Sequence, residues 1–324
     1  MPILCDHAHS SNTKLRLESL WALKHVAYNS ANDIKIKIIT LLDPAWLAQI
    51  LSQDPSAFLG MRSISTEAEN GSLLGMGTSN SAGEQVDLLN PMEELRDQED
   101  DLDMVDTVPV SRPGLDLYLP ESARQRKLAL SGDLDQSKQA IKDDVAVQEQ
   151  TFDLLRNIIC GTGANEMIDY LFKELGHQDM LNILADKIRP RVTQGSSHRD
   201  SSSPKLVSSV PPETLVSVTF VLIHLAAGTT RHRELLFSHR DLLKNLMHLF
   251  NHPSRNVRVN CVWIIINLTY EDDQSDHHAC HDRALKLRSW GAMERLANLK
   301  DDPDLDVRER TKTALHLMRA LLSV

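Results

Sequence analysis

Apolar positions recur at helical spacing along most of this chain, in segments that bury one face. They predict helices over Thr13–Tyr28, Ile34–Leu42 and Ala45–Leu51, then over Glu121–Leu130, Gln136–Ile159, Asn165–Lys173 and Gln178–Ile188. After a Ser-rich break the pattern resumes over Thr214–Leu225, Arg231–Phe237 and Arg240–Asn251. It continues over Asn256–Tyr270, Asp282–Trp290 and Ala292–Leu299, and closes with Val307–Leu322. Pro44 sits at a helix start, where its missing N–H costs nothing. Pro253 and Pro303 end the helices before them, and Asn256 and Asp306 can cap the ones that follow.

One phrase returns inside this pattern. Residues 256–268 read Asn-Val-Arg-Val-Asn-Cys-Val-Trp-Ile-Ile-Ile-Asn-Leu, with Trp263 and Asn267 one turn apart. Residues 15–26 and 307–318 repeat the frame, and 147–158 and 214–225 are degenerate copies. A helix that returns in one frame, with other helices between its copies, marks an α-solenoid. Phe220 aligns with Trp263, 43 residues on, and Trp263 with Thr313, 50 on. Armadillo and HEAT units run about 40–47 residues. Each unit here reads as two shorter helices and a longer third, which favours armadillo. The expected fold is therefore all-α: an armadillo-type superhelix of three-helix repeats with long disordered insertions.

Composition divides the chain. Residues 1–51 read as partial armadillo repeats, 52–120 as a disordered Ser/Gly-rich and acidic insertion, and 121–190 as armadillo repeats. Residues 191–211 read as a Ser-rich loop, and 212–324 as C-terminal armadillo repeats. The chain opens on the third helix of a unit, and Leu15, Leu17, Leu20 and Leu23 do not make a polar cap. That points to the C-terminal part of a longer solenoid, or to docking on another polypeptide.

Charge and cysteine content narrow the function. The net charge is −10, and Glu84–Asp106 alone holds ten acidic residues against Arg96, which leaves about −1 elsewhere. A near-neutral fold with one acidic tract is a poor nucleic-acid binder. Four cysteines lie far apart, which is no disulfide framework. There is no signal-peptide pattern at the start, and no apolar run approaches a membrane span. A soluble intracellular protein is expected, with no cofactor, no bound metal and no small-molecule substrate.

Candidate chemistry lies on the third helices. A Trp offers an apolar wall, and an Asn one turn on offers an amide for an extended peptide backbone. The paired positions are Trp21/His25, Asp153/Asn157, Phe220/His224, Trp263/Asn267 and Thr313/Leu317. One full Trp/Asn pair fits a groove for a dedicated partner better than a regular ladder for extended basic signals. Trp263 also has a second reading, as a core residue. His277-His-Ala-Cys280-His281 has zinc-ligand residue types, but they sit in one segment without two separated pairs, and a solvated loop is the plainer reading. Cys5-Asp-His7-Ala-His9 is expected to fray. Gly161-Thr-Gly163 follows a helix and reads as a helix stop. Asp272, Asp273, Asp301 and Asp302 read as solvated acids between helices. No nucleophile–base arrangement, paired acids or phosphate loop is present, so no catalytic residues are expected.

The segments Pro253–Val324 and Gln148–Pro190 resemble a known family. Asn256–Leu268, the charged spacer Glu271–Asp282, Arg288-Ser-Trp-Gly-Ala-Met293, Leu154-Leu-Arg-Asn-Ile-Ile159 and Met167-Ile-Asp-Tyr-Leu171 carry the resemblance. It is to the C-terminal portion of the armadillo subunit of the GID/CTLH E3 ubiquitin ligase, the vacuolar import and degradation family. The resemblance implies a non-catalytic scaffold in regulated protein degradation, cytoplasmic and nuclear. It would hold a substrate-receptor subunit against CTLH and RING core subunits through a concave groove. Carried over residue by residue, that groove comprises Arg258, Trp263, Asn267 and Arg308, with Phe220 and His224 on the neighbouring ridge. Arg258 and Arg308 would then meet a carboxylate or acidic tail. An armadillo adaptor for cargo transport or signalling is the alternative.

Overall fold

The computed structural model describes residues 1–54, 136–193, 205–208 and 210–323. The described residues before 60 and after 136 belong to one compact unit. Helix α1 spans Pro2–Ala8, α2 Thr13–Ala27, α3 Asn32–Leu42, α4 Pro44–Ser52 and α5 Gln136–Ile158. Then come α6 (Ala164–Leu175), α7 (His177–Lys187) and α8 (Pro212–Ala226). The remainder is α9 (Thr230–Ser238), α10 (Arg240–Leu246), α11 (Arg255–Leu268), α12 (His277–Ser289), α13 (Ala292–Asn298) and α14 (Leu305–Leu322). Short 3₁₀ turns extend α10 and α13, over Met247–Asn251 and Leu299–Asp301.

These helices fall into triplets, α3–α5, α6–α8, α9–α11 and α12–α14, preceded by α1 and α2. Consecutive third helices pack broadly on each other, α8 on α11 and α11 on α14. The architecture is an all-α armadillo solenoid. The same registers of the third helix are buried in each unit: Val147, Leu154 and Ile158 in α5, Val257, Ile264 and Leu268 in α11, Val307, Ala314 and Met318 in α14. A stripe at i, i+7 and i+11 is one helical face, so the burial follows from the period. At this spacing in α2, Leu15 and Val26 are each 38% exposed.

Helix starts and stops follow local chemistry. Asn12, Asp43, His239 and Asp304 cap α2, α4, α10 and α14, each side chain accepting from a first-turn N–H. Gly161 and Gly163 adopt φ values of 77° and 73° between α5 and α6. A Cβ on Gly163 would lie 2.2 Å from the Asn32 amide, which donates to the Gly163 carbonyl at 3.3 Å. The helix stop read from sequence is therefore also a close contact between α3 and the α5–α6 turn.

Several sequence expectations are corrected. Residues 2–8 form a helix with Cys5 and Ala8 buried, because they pack on α2 and α3 rather than fray. Within the expected Ser-rich loop, Pro190–Thr193 pairs antiparallel with Lys205–Ser208, Pro190 opposite Ser208. Helix α12 begins at His277, not Asp282, because Cys280, Arg283 and Ala284 share a buried face. Asp302 is not solvated: it is 6% exposed and ion-paired. The helix expected over Glu121–Leu130 and nearly all of the 52–120 insertion lie outside the described residues.

Candidate partner-binding groove

Third helices α2, α5, α8 and α11 are joined in one register by polar side chains. Asn157 Nδ2 donates to the Lys24 carbonyl at 2.9 Å, and Asn267 Nδ2 to the Ile223 carbonyl at 3.1 Å. Each asparagine lies four residues after its groove position. Each acceptor lies three residues after the matching position of the preceding third helix. Asn260 Nδ2 adds a bond to Thr219 Oγ1 at 2.9 Å. The sequence reading gave these amides to a partner; the structure shows their NH₂ groups spanning units. Asn267 Oδ1 has no hydrogen-bond partner among the described residues.

The aromatic positions present a graded surface. Trp21 is 44% exposed and meets the His25 ring at a tilt of 58°, ring centroids 4.3 Å apart. In α5 the position is Asp153, which is buried, pairs with Lys24 Nζ at 3.1 Å and accepts from Ser217 Oγ at 2.9 Å. Phe220 and Trp263 are half-buried. Arg156 lies over the Phe220 ring at 5.2 Å, and Arg310 over the Trp263 ring at 4.5 Å. Between Phe220 and Trp263 is a depression of about 280 Å³, lined also by Asn256, Val259, Asn260 and Asp306. One side of Trp263 thus packs on the core and the other walls the depression.

Electrostatics vary along this face. His224, one turn after Phe220, is pushed down to about 4 by burial and by the Arg156 charge. It is neutral at pH 7 and offers an uncharged donor or acceptor. Glu149, one turn before Asp153, is pushed up to about 7 by burial and by Asp153 and Glu213, against a smaller effect of Lys24.

Arg258 and Arg308 have intramolecular partners. Arg258 Nη1 donates to the His252 and Pro253 carbonyls at 2.9 and 2.7 Å, and Arg308 Nη1 to those of Asp302 and Pro303 at 2.6 and 2.9 Å. Arg258 also grips Asp302 through Nε and Nη2, at 2.7 and 2.9 Å. Arg16 holds a single carbonyl six residues back, Ser10 O, through Nε and Nη2 at 3.1 and 2.8 Å. In α5 the position is Gln148, whose Nε2 donates to the Ile50, Leu51 and Gln53 carbonyls. The recurring arginine therefore closes the turn into the third helix. A sequence signal for this existed: in two units the arginine follows a proline by five residues.

The His/Cys segment diverges. His277 Nδ1 meets Glu271 at 3.0 Å, His278 Nδ1 meets Asp282 at 3.4 Å, and His281 Nδ1 meets the Leu321 carbonyl at 2.7 Å. Cys280 points inward to Asp276 and Arg283. Among the described residues no three His, Cys, Asp or Glu side chains converge to hold a metal ion, and no helix is long and apolar enough to cross a membrane.

Comparison with known proteins supports this architecture. No family model matches the chain. Armadillo repeat-containing protein 8 of Mus musculus is 25% identical over 185 residues, 56% of this chain and 25% of that protein. Its Xenopus laevis counterpart is 25% identical over 188 residues, 56% of this chain and 24% of that protein. The matched region thus spans about a quarter of the length of these relatives. A computationally designed armadillo repeat protein for modular peptide recognition superposes with a TM-score of 0.50, at 15% identity, covering 99% of this chain and 86% of that one. These are armadillo repeats. A groove built on their third helices is set by the backbone frame, while its side chains are particular to this sequence.

Proposed function

We propose that this chain is a non-catalytic scaffold subunit of a GID/CTLH-type E3 ubiquitin ligase. In this reading it holds the substrate-receptor subunit against the CTLH and RING core subunits, through a concave groove on its third helices. The observation that carries the reading is the Phe220–Trp263 depression, with two aromatic faces on adjoining third helices and a cation over each. The family resemblance of Pro253–Val324 and the similarity to armadillo repeat-containing protein 8 support it. Phe220, Trp263, His224 and Asn267 would contact the partner. Arg258 and Arg308 would shape the groove by fixing helix entry. Cytoplasmic and nuclear residence follows from the same reading.

The test is recovery of tagged full-length chain from its own cells, wild type against a Phe220→Ala/Trp263→Ala variant, with partners identified by mass spectrometry. The reading expects CTLH and RING subunits with the wild type, and loss of the receptor subunit with the variant. Thermal melting of the purified variant must remain within a few degrees of wild type. Recovery of transport or signalling factors in place of ligase subunits supports the adaptor alternative and overturns the ligase reading.

A further inference from the structure

A second concavity lies where the second helices of successive units meet the turns into the third. It has a volume of about 490 Å³. Ile188, Leu249 and prolines 190, 212 and 253 give it apolar walls, and Ile188 and Leu249 are themselves buried. Its polar lining is Arg295, His248, His252 and Asn251, with no carboxylate among the described lining residues.

Three observations show an unanswered positive site. Arg295 is half-buried and forms no ion pair or hydrogen bond among the described residues, and its Nε is shut off from water without a partner. Elsewhere in this fold, buried guanidinium groups are ion-paired, Arg233 and Arg283 with Asp276 and Arg258 with Asp302, although Arg233 Nε and Arg283 Nη1 also lack a partner. Next, His252 Nδ1 accepts from the Ser254 N–H at 3.1 Å, so the neutral ring carries its proton on Nε2. Burial and Arg258 hold that ring below the usual histidine range, so neutral is its state at pH 7. Last, burial and then the Arg295 charge hold His248 below the usual histidine range, so this ring too is neutral at pH 7. The site thus offers one planar fork of donors, one neutral N–H and apolar walls. A guanidinium fork matches a carboxylate in two parallel bonds. A phosphate dianion would need more donors than these.

We infer that this concavity is a binding site for an apolar carboxylate, the carboxylate on Arg295 and the aliphatic part against Ile188, Leu249 and the prolines. The chemistry is shared by a small aliphatic acid and by the C-terminus of a peptide ending in an aliphatic residue.

The experiment is NMR titration of the full chain, following the ring protons of His248 and His252. The probes are N-acetyl-leucine, N-acetyl-leucinamide, the peptide Ala-Ala-Ala-Leu as free acid, and inorganic phosphate. N-acetyl-leucine is expected to shift both histidines saturably and to raise the titration midpoint of His248. The amide is expected to bind at least tenfold more weakly. R295Q should lose tenfold or more in affinity for the acid, and R295K, which keeps the charge and the stem, several-fold. Tighter binding of the tetrapeptide than of N-acetyl-leucine assigns the site to a chain terminus, and equal binding to a small acid; both support the site. Equal response to acid and amide overturns the proposal. So does acid affinity unchanged in folded R295Q and R295K, or phosphate binding as tightly as the acid.

Discussion

The Asn267 side-chain amide donates to the backbone carbonyl of Ile223, 44 residues earlier in the preceding third helix. Asn157 makes the equivalent bond to Lys24, between α5 and α2, one of them recording the same register as the other. These bonds join units at backbone carbonyls, independent of what the neighbouring side chain is. They set how far one third helix slides along the next.

Removing the donor should therefore loosen a unit interface. Asn157 is 5% exposed, and the Lys24 carbonyl keeps the Tyr28 N–H, so Asn157→Ala loses one buried bond and should cost about 1–1.5 kcal/mol. Asn267 is half-buried, where water can replace the donor, and Asn267→Ala should cost about 1 kcal/mol or less. Urea unfolding of both variants ranks them; a larger loss for Asn267→Ala would contradict the burial argument.

The two arginine clamps should differ in the same way. Arg308→Ala removes bonds to two linker carbonyls at the solvent edge, for about 1 kcal/mol. Arg258→Ala also strands the Asp302 carboxylate, whose side chain is 4% exposed, and should cost about 3 kcal/mol or more. Burial raises the Asp302 carboxyl, but the Arg258 bonds outweigh it and hold the group below the usual range. Asp302→Asn in the Arg258→Ala background should recover stability, which melting curves of the single and double variants would register.

Glu149 and His224 give opposite pH dependences. The folded pKa of Glu149, about 7, lies above its ordinary value, so the fold prefers the neutral acid. Its contribution is full below the ordinary carboxylate pKa and is lost as pH rises to 7. Glu149→Gln should stabilise by on the order of 1–2 kcal/mol at pH 8 and by almost nothing at pH 4.

The folded pKa of His224, about 4, lies below its ordinary value, so the fold prefers the neutral ring. Stability is full above pH 6.5 and falls as the pH drops towards 4. His224→Gln should flatten that acid limb. Denaturant midpoints between pH 4 and 8 test both variants, and parallel curves for variant and wild type would refute them.

Cys280 should be chemically quiet. Burial and its bond to Asp276 push its thiol up to about 11, and burial raises the Cys261 thiol also. In the native chain at pH 8 neither should react with a thiol reagent within minutes, and both should after denaturation. Mass spectrometry of the alkylated peptides distinguishes them; rapid native labelling of Cys280 would mean that the Asp276–Arg283 cluster opens.

Much of the fold was legible because a helix that buries one face must repeat its apolar residues at 3.6-residue spacing. Trp263, Phe220 and Thr313 align in sequence because each stands at the same turn of a third helix. The roles of the polar residues were much less legible. Arg258 and Arg308 have the residue type of a carboxylate receptor, yet their donors turn to carbonyls five and six residues back. Asp302 has the composition of a surface acid and lies buried under Arg258. The chemistry of His277–His281 was present, but α12 turns Cys280 inward and its three histidines to separate partners.

Sequence alone determined the period and the third-helix register, since these depend on apolar spacing within one segment. Tertiary structure decided which polar groups are spent inside the molecule and which remain for a partner. Lys24 meets Asp153 across 129 residues and Asn267 meets Ile223 across 44. No local pattern encodes such pairings. A hydrogen bond forms or fails over a few tenths of an ångström, and only the packed helices fix distances that finely.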